Sequence, residues 1–272
     1  YETFYFLGNS INLHYLNLAG TFLTNSIFDE FVILDEFTQL FHLNLSFNSI
    51  ESILQYKFQK LTNLEYLDMS RNNISTIERL VFLYNSKLEY IDLSFNRIKI
   101  INQEIFGMKI TTLHKMFKLI LNNNLLTEFD LNLIFRSDES WLNLEGNFLT
   151  TYPNLLTKST YLPNLNMKQN RLNKIQKNYF LYIRNFFYAD FSKNNISVIE
   201  VDSFSKASRL IYLDLSLNRL SNLNPNNFVG LYGLSYLNLS FNFIDYISKY
   251  LFRDLPVLKT LDLSKNMIKL IE

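Results

Sequence analysis

The sequence predicts an α/β solenoid, a coil of short strands with an irregular return path, on three observations. First, the phrase L-x-x-L-x-L-x-x-N-x-L returns eleven times, starting at Leu13, Leu40, Leu64, Leu88, Met116, Glu139, Leu162, Phe186, Leu210, Leu234 and Leu258. Second, most copies stand 24 residues apart and the rest 23, 27 or 28, a near-fixed period that marks stacked modules. Third, each copy has a trailing half in register. An apolar residue falls thirteen places after the first position (Ile53, Ile77, Ile101, Ile175, Ile199, Ile247). Five places later stands Phe58, Phe82, Phe106, Phe180, Phe204, Phe228 or Phe252.

Each element of the period has a physical reason. The stretch x-L-x-L-x alternates apolar and polar, as a strand with one buried face must. Leu67 and Met69, or Leu213 and Leu215, are its inward pair, and the residues between and beside them face solvent. The Asn that follows recurs at Asn48, Asn72, Asn96, Asn124, Asn147, Asn170, Asn194, Asn218, Asn242 and Asn266. A buried carboxamide donates and accepts at once, so a ladder of them can satisfy the backbone where the chain turns. Unpaired, each such group costs about 1–3 kcal/mol. The trailing phenylalanines predict a stacked spine behind the strands, each ring burying about 150–250 Å².

These residues resemble the leucine-rich repeat family, in its typical 24-residue class. One clean copy is Leu64-Glu65-Tyr66-Leu67-Asp68-Met69-Ser70-Arg71-Asn72-Asn73-Ile74. The resemblance covers nearly the whole chain. It implies a curved horseshoe with a parallel sheet on its concave face and an irregular or 3-10 convex side. It also implies kinship with Toll-type receptor ectodomains, chaoptin-like adhesion proteins and secreted immune factors. Residues 13–272 read as the array of eleven repeats, the last cut short at Glu272, and residues 1–12 as a degenerate partial repeat or N-terminal cap. In that segment Phe4, Phe6, Asn9 and Ile11 look like the end of another strand, and Thr21 replaces the first Asn. The chain reads as part of a longer or processed protein.

Composition narrows the function. A net charge of +1 argues against nucleic acid or an acidic membrane surface as the main partner. No apolar run is long enough for a membrane helix, so contact with a membrane would come only through segments outside this chain. There is no cysteine, and His14, His42 and His114 lack metal-ligand spacing, so no metal, cofactor or catalytic set is expected. The missing cysteine fits a segment without disulfide-bonded caps, or a reducing compartment. Sequons stand at Asn44, Asn73, Asn195 and Asn238. Asn44 and Asn238 fall between inward leucines, whereas Asn73 and Asn195 follow the ladder Asn and are better placed for a glycan. A chain this rich in Asn yields about as many sequons by chance.

Three rows are expected on the open side of the sheet. One is aromatic, with Tyr66, Tyr90, Tyr188, Tyr212 and Tyr236; one is Asp or Asn, including Asp68, Asp92, Asp190 and Asp214; one is mostly Ser. The aromatic row is a weaker binding candidate, because tyrosine also simply suits strands. Two neighbouring aspartates invite a catalytic or calcium pair, but an open sheet offers no pocket to shift their pKa values. The pattern breaks in the fifth to seventh repeats, at Phe117, Lys118, Ile120, Trp141, Asn143, Glu145, Asn164 and Lys168. An aromatic anchor amid mixed charge is the composition of an interface hot spot, so a protein partner is placed there. Drift in weaker repeats is the competing explanation, and Glu139 at a normally apolar position favours it. The insertion Gly107–Lys115 is a second contact candidate.

The sequence therefore predicts a non-enzymatic protein-recognition scaffold, at the cell surface or secreted, with a protein partner that includes a second copy or a related chain. An intracellular adaptor and a structural spacer are the other readings.

Overall fold

Alternation of apolar and polar residues yields one three-residue strand per copy of the phrase. The structure, a computed structural model, describes residues 12–29, 32–106, 118–130, 139–152, 160–177, 179–181 and 183–272. Phe4, Phe6, Asn9, Ile11, Phe117 and the insertion Gly107–Lys115 lie outside the described residues. The chain divides into two compact units, residues 1–137 and 138–272.

In the first unit the strands Tyr15–Asn17, His42–Asn44, Tyr66–Asp68, Tyr90–Asp92 and Lys118–Ile120 pair in parallel, each with the next. In the second, Trp141–Asn143, Asn164–Asn166, Tyr188–Asp190, Tyr212–Asp214, Tyr236–Asn238 and Thr260–Asp262 do the same. Register follows the repeat: Tyr66 pairs with Tyr90, Leu67 with Ile91 and Asp68 with Asp92. Parallel neighbours require a crossover, and here the rest of each repeat supplies it. That return path holds a five-residue helix Asn25–Asp29, 3-10 turns at Val32–Glu36 and Gln103–Phe106, and two- or three-residue parallel pairs such as Lys174–Ile175 with Val198–Ile199. Both units are therefore solenoids with one regular and one irregular side, as the period predicts.

The ladder does what an amide can do and a charge cannot. Asn72 Nδ2 donates to Leu45 O at 3.0 Å, one coil back, and to Met69 O at 3.1 Å, while its Oδ1 accepts from Ile50 N at 3.0 Å. Asn194 repeats the set: Nδ2 to Met167 O at 2.9 Å and Phe191 O at 3.0 Å, Oδ1 from Leu172 N at 3.0 Å. Asn96, Asn170, Asn218 and Asn242 follow the same scheme. Each carboxamide thus joins two successive coils at the point where the strand ends.

The aromatic spine is equally regular. Phe58 stacks on Phe82 with centroids 5.9 Å apart, and Phe82 on Phe106 at 5.4 Å. In the second unit Phe180 stacks on Phe204 at 5.2 Å and Phe228 on Phe252 at 6.0 Å. Phe28 extends the first stack, 6.2 Å from Phe58, from a helix the repeat pattern does not foretell. Coils approach so closely here that a Cβ on Gly230 would stand 2.5 Å from Phe204 O, and Gly230 also has φ +96°. Only glycine fits that position.

The expected row of solvent-facing serines is corrected by the structure. Ser46, Ser70, Ser94, Ser192, Ser216 and Ser240 are buried. The strand has already ended at this position, and the chain bends so that the Ser carbonyl accepts from a backbone N–H of the preceding coil. Gly20 N donates to Ser46 O at 3.0 Å and Arg71 N to Ser94 O at 2.9 Å. The small side chain is drawn under that bend.

Candidate functional site

The strands hold their outward side chains in straight rows, because register places like on like about 4.8 Å apart. In the first unit Tyr15, His42, Tyr66 and Tyr90 form one stack, with centroids 4.2, 4.0 and 4.3 Å apart and planes within 18°. In the second, Tyr188, Tyr212 and Tyr236 stack at 4.6 and 4.5 Å. Apart from Tyr15, which is exposed, these rings are half-buried, so packing fixes them before any partner arrives. Burial, with Asp92 and Tyr66 adding to it, pushes the Tyr90 phenol far up; burial with Asp190 and Asp214 does so for Tyr188. Both are neutral at physiological pH. Burial lowers the His42 pKa against the pull of Asp68.

The Asp and Asn row is not a free acidic surface. Asp68 Oδ1 accepts from Ser70 N at 2.9 Å, Asp92 Oδ1 from Ser94 N at 2.8 Å, and Asp214 Oδ1 from Ser216 N at 2.8 Å. Asn44, Asn166 and Asn238 make the same bond two residues on. Each side chain closes the turn that ends its strand, in the manner of an Asx turn. Asp190 and Asp214 are buried rather than facing solvent. Asn238 Nδ2 donates to Asp214 Oδ2 at 3.2 Å, so neighbouring members also hold each other. A catalytic or calcium role for this row has no support in the geometry.

This row gives a pH prediction. Burial raises the Asp190 pKa, with Asp214 adding to the rise and the Ser192 bonds and Lys168 opposing it. A carboxyl raised on folding favours the folded state only while protonated. Its cost is absent below the unfolded value, near 3.9, grows as pH climbs through the folded value and is complete above it. Asp190→Asn keeps the Oδ1 acceptor and adds a donor toward Asp214. The expected result is a higher Tm at pH 7, with the difference vanishing near pH 3.5, in paired thermal melts. A lower Tm for the variant at pH 7 would contradict this assignment.

The residues at the break in the pattern fall in both units and are described within each. In the first, Lys118 pairs with Tyr90 and Ile120 with Asp92. Lys118 is exposed, whereas Ile120 is half-buried rather than fully exposed. Ile120 cannot accept a hydrogen bond, so this turn lacks the side-chain cap of the others. Phe117, placed in the same site by the sequence, lies outside the described residues.

In the second unit the remaining residues form one connected group. Trp141 and Asn164 are register partners. Trp141 reaches past Asn164 to Tyr188, centroids 5.1 Å apart and tilted 33°, and so joins the tyrosine stack. Asn164 Nδ2 donates to Ser140 O at 2.9 Å. Asn143 Oδ1 accepts from Glu145 N at 3.1 Å. Asn166 Nδ2 donates to Glu145 Oε2 at 3.1 Å, and Lys168 Nζ lies 3.6 Å from Glu145 Oε1. Glu145 and Lys168 replace Ser at one position of adjacent repeats, with opposite charge, and pair with each other. Such coordinated departure counts against drift. Surface pairs of this kind contribute only about 0–1 kcal/mol, so they set the chemistry of the face more than its stability.

Of the sequons, Asn195 is exposed and Asn73 half-buried, both just past the ladder Asn. Asn44 and Asn238 are half-buried on the sheet, with their carboxamides engaged. Among the described residues no helix is long and apolar enough to cross a membrane.

Parallel coils, an amide ladder and a side-chain-bearing sheet face define a repeat scaffold of the recognition type. A family model for the leucine-rich repeat matches residues 38–98, 190–244 and 233–272, just over half of the chain, and the chain belongs to that family. None of the curated proteins matches it. Among solved structures it is similar to the leucine-rich repeat domain of APL1B, with 23% identity over 98% of this chain and 73% of that one, TM-score 0.76. It is also similar to a chain of the Drosophila Toll–Spatzle complex (24% identity, 94% of this chain, 34% of that one, TM-score 0.74). A third likeness is to the TLR13–ssRNA13 complex (24% identity, 93% and 35%, TM-score 0.73). At these identities the likeness speaks to the fold alone. The chain spans about a third of the length of the last two.

Proposed function

We propose that this chain is a non-enzymatic protein-recognition scaffold, part of an extracellular receptor, adhesion or secreted immune protein. The array is read as residues 13–272, with residues 1–12 a degenerate repeat or cap. The observation that carries the reading is the Trp141–Tyr188–Tyr212–Tyr236 row: the three tyrosines stacked, Trp141 tilted against them, and all four half-buried on an open sheet. Such a face is built before the partner arrives, so binding orders few side chains and loses little entropy. Aromatic anchors beside the Glu145–Lys168 pair are what a protein interface concentrates at its centre. The extracellular compartment is supported by the exposed sequon at Asn195 and by the likeness in fold to a chain of the Toll–Spatzle complex.

The compartment is tested by the intact mass of the protein from animal cells and from their medium, before and after glycosidase. Surface or medium protein that loses mass, with Asn195→Gln removing one glycan, is the expected result. Unglycosylated protein confined to the cytosol would replace this reading by the intracellular adaptor. The site is tested by Trp141→Ala and Ile120→Ala. Each is expected to weaken partner binding at least tenfold, a loss of about 1.4 kcal/mol or more, with Tm held within a few degrees. Unchanged binding by both would remove the break in the pattern from the interface.

A further inference from the structure

Past the strand, each coil of the second unit runs along the edge of the solenoid with strict alternation. Lys193, Asn195 and Ser197 are exposed, while Asn194 and Ile196 between them are buried; residues 241–245 alternate in the same way. Backbone bonds lock this edge coil to coil: Asn195 N to Leu172 O at 2.9 Å, Arg219 N to Ile196 O at 2.8 Å, Phe243 N to Leu220 O at 2.8 Å and Met267 N to Ile244 O at 2.9 Å. Outward side chains of successive repeats therefore stand side by side, in rows.

Those rows are basic and apolar by turns, with Leu217, Phe241, Phe243 and Met267 exposed among the cations. Arg171, Lys193, Arg219, Lys265 and Lys269 project from them, all exposed, and among the described residues of this edge Asp245 is the one carboxylate. Among the described residues, the lysines that form ion pairs lie off this edge, Lys168 on the sheet face and Lys174 and Lys177 further round the coil. The first unit shows the same bias independently, with Arg71, Arg97 and Lys99 against Glu51. A net charge of +1 hides this segregation.

We propose that this basic edge of the second unit binds a sulfated polysaccharide. Cations on four of the five coils between Gln169 and Lys269, along a rigid edge, match a linear polymer that carries many anionic groups. The same edge carries phenylalanines, which could instead suggest stacking of nucleic-acid bases. Some rings are already covered by cations: Arg171 lies over Phe148 at 4.4 Å, and in the first unit Arg71 sits between Phe47 and Phe95 at 5.1 and 4.2 Å, while Phe241 and Phe243 stay exposed. The covered rings prop guanidinium groups outward, where an anionic group can reach them, and stacking on Phe241 and Phe243 is the alternative that single-stranded DNA tests. The site rests on the extracellular reading, where such polymers are met, but uses a different surface from the tyrosine row, so either can fail without the other.

The test is heparin binding by the intact protein across a salt series. The triple variant Lys193→Gln, Arg219→Gln, Lys265→Gln removes the centre of the file. Gln169 already occupies the left-handed position shared by Lys193 and Lys265, with φ 57°, so the fold accepts glutamine there. A control with the same change in charge, Lys60→Gln, Arg79→Gln, Lys87→Gln, alters exposed positions off this edge. The expected result is salt-sensitive binding by the parent, about tenfold weaker binding by the edge variant at equal Tm, and little change in the control. Asn195→Gln, which frees the space between Lys193 and Arg219 of any glycan, keeps or raises affinity. Absence of parent binding, equal loss in both triple variants or no loss in the edge variant would overturn the proposal. Single-stranded DNA bound as tightly as heparin, and lost in the same variant, would overturn the polysaccharide assignment in favour of nucleic acid.

Discussion

Asn194→Ala is expected to destabilise the protein by about 3–5 kcal/mol, the sum of several stranded polar groups at about 1–3 kcal/mol each. Its amide serves Met167 O, Phe191 O and Ser192 O and accepts from Leu172 N, all buried bonds. Removing it leaves the Leu172 N–H and the Met167 carbonyl of the preceding coil, and the Phe191 carbonyl of its own, without these bonds. A Tm fall of roughly 10 °C or more follows for a protein of this size. Asn194→Asp is the sharper variant, because it keeps volume and acceptor and loses only the donor. It too is expected to melt early at pH 7. An aspartate variant as stable as the parent would mean that the donor bonds between coils do not hold the turn.

Phe204→Ala is the second large effect, about 3–5 kcal/mol. The ring has no solvent exposure and lies 5.2 Å from Phe180 with planes 10° apart. Coils contact only their neighbours in a solenoid, so a void here breaks the stack at one point instead of being shared across a large core. Phe204→Leu fills most of the space and is expected to lose no more than about 1.5 kcal/mol. Calorimetry on both variants checks the pair. Equal, small losses would show that the spine is not what binds the irregular side together.

The repeat makes much of this legible without coordinates, because each position is stated many times over. The inward leucines, the ladder Asn and the trailing Phe could be read from Leu64–Ile74 and its copies. The serine row could not. Its small polar residues look like surface, and only the bend after the strand draws them under. The Asp and Asn row carried a usable signal that reading by charge missed. Asp68, Asp92, Asn143, Asn166, Asp190, Asp214 and Asn238 differ in charge but share an Oδ1 acceptor two residues before a turn N–H. A position that takes both and little else reports hydrogen bonding rather than acidity. At the break in the pattern, Glu145 and Lys168 look like unrelated lapses along the chain, and only strand register shows them as partners. The basic edge escaped because net charge averages over surfaces that the coil keeps apart.

The central claim is that a protein partner is held on the sheet face and not on the irregular side. A photo-crosslinking phenylalanine analogue at position 212, on the tyrosine row, and in a second protein at position 232, exposed outside the sheet strands, tests it on the intact protein in its own compartment. The account predicts a discrete protein adduct from position 212, abolished by Trp141→Ala with Tyr188→Ala, and none from position 232. An adduct from position 232 alone would place recognition on the wrong side of the coil and contradict the account.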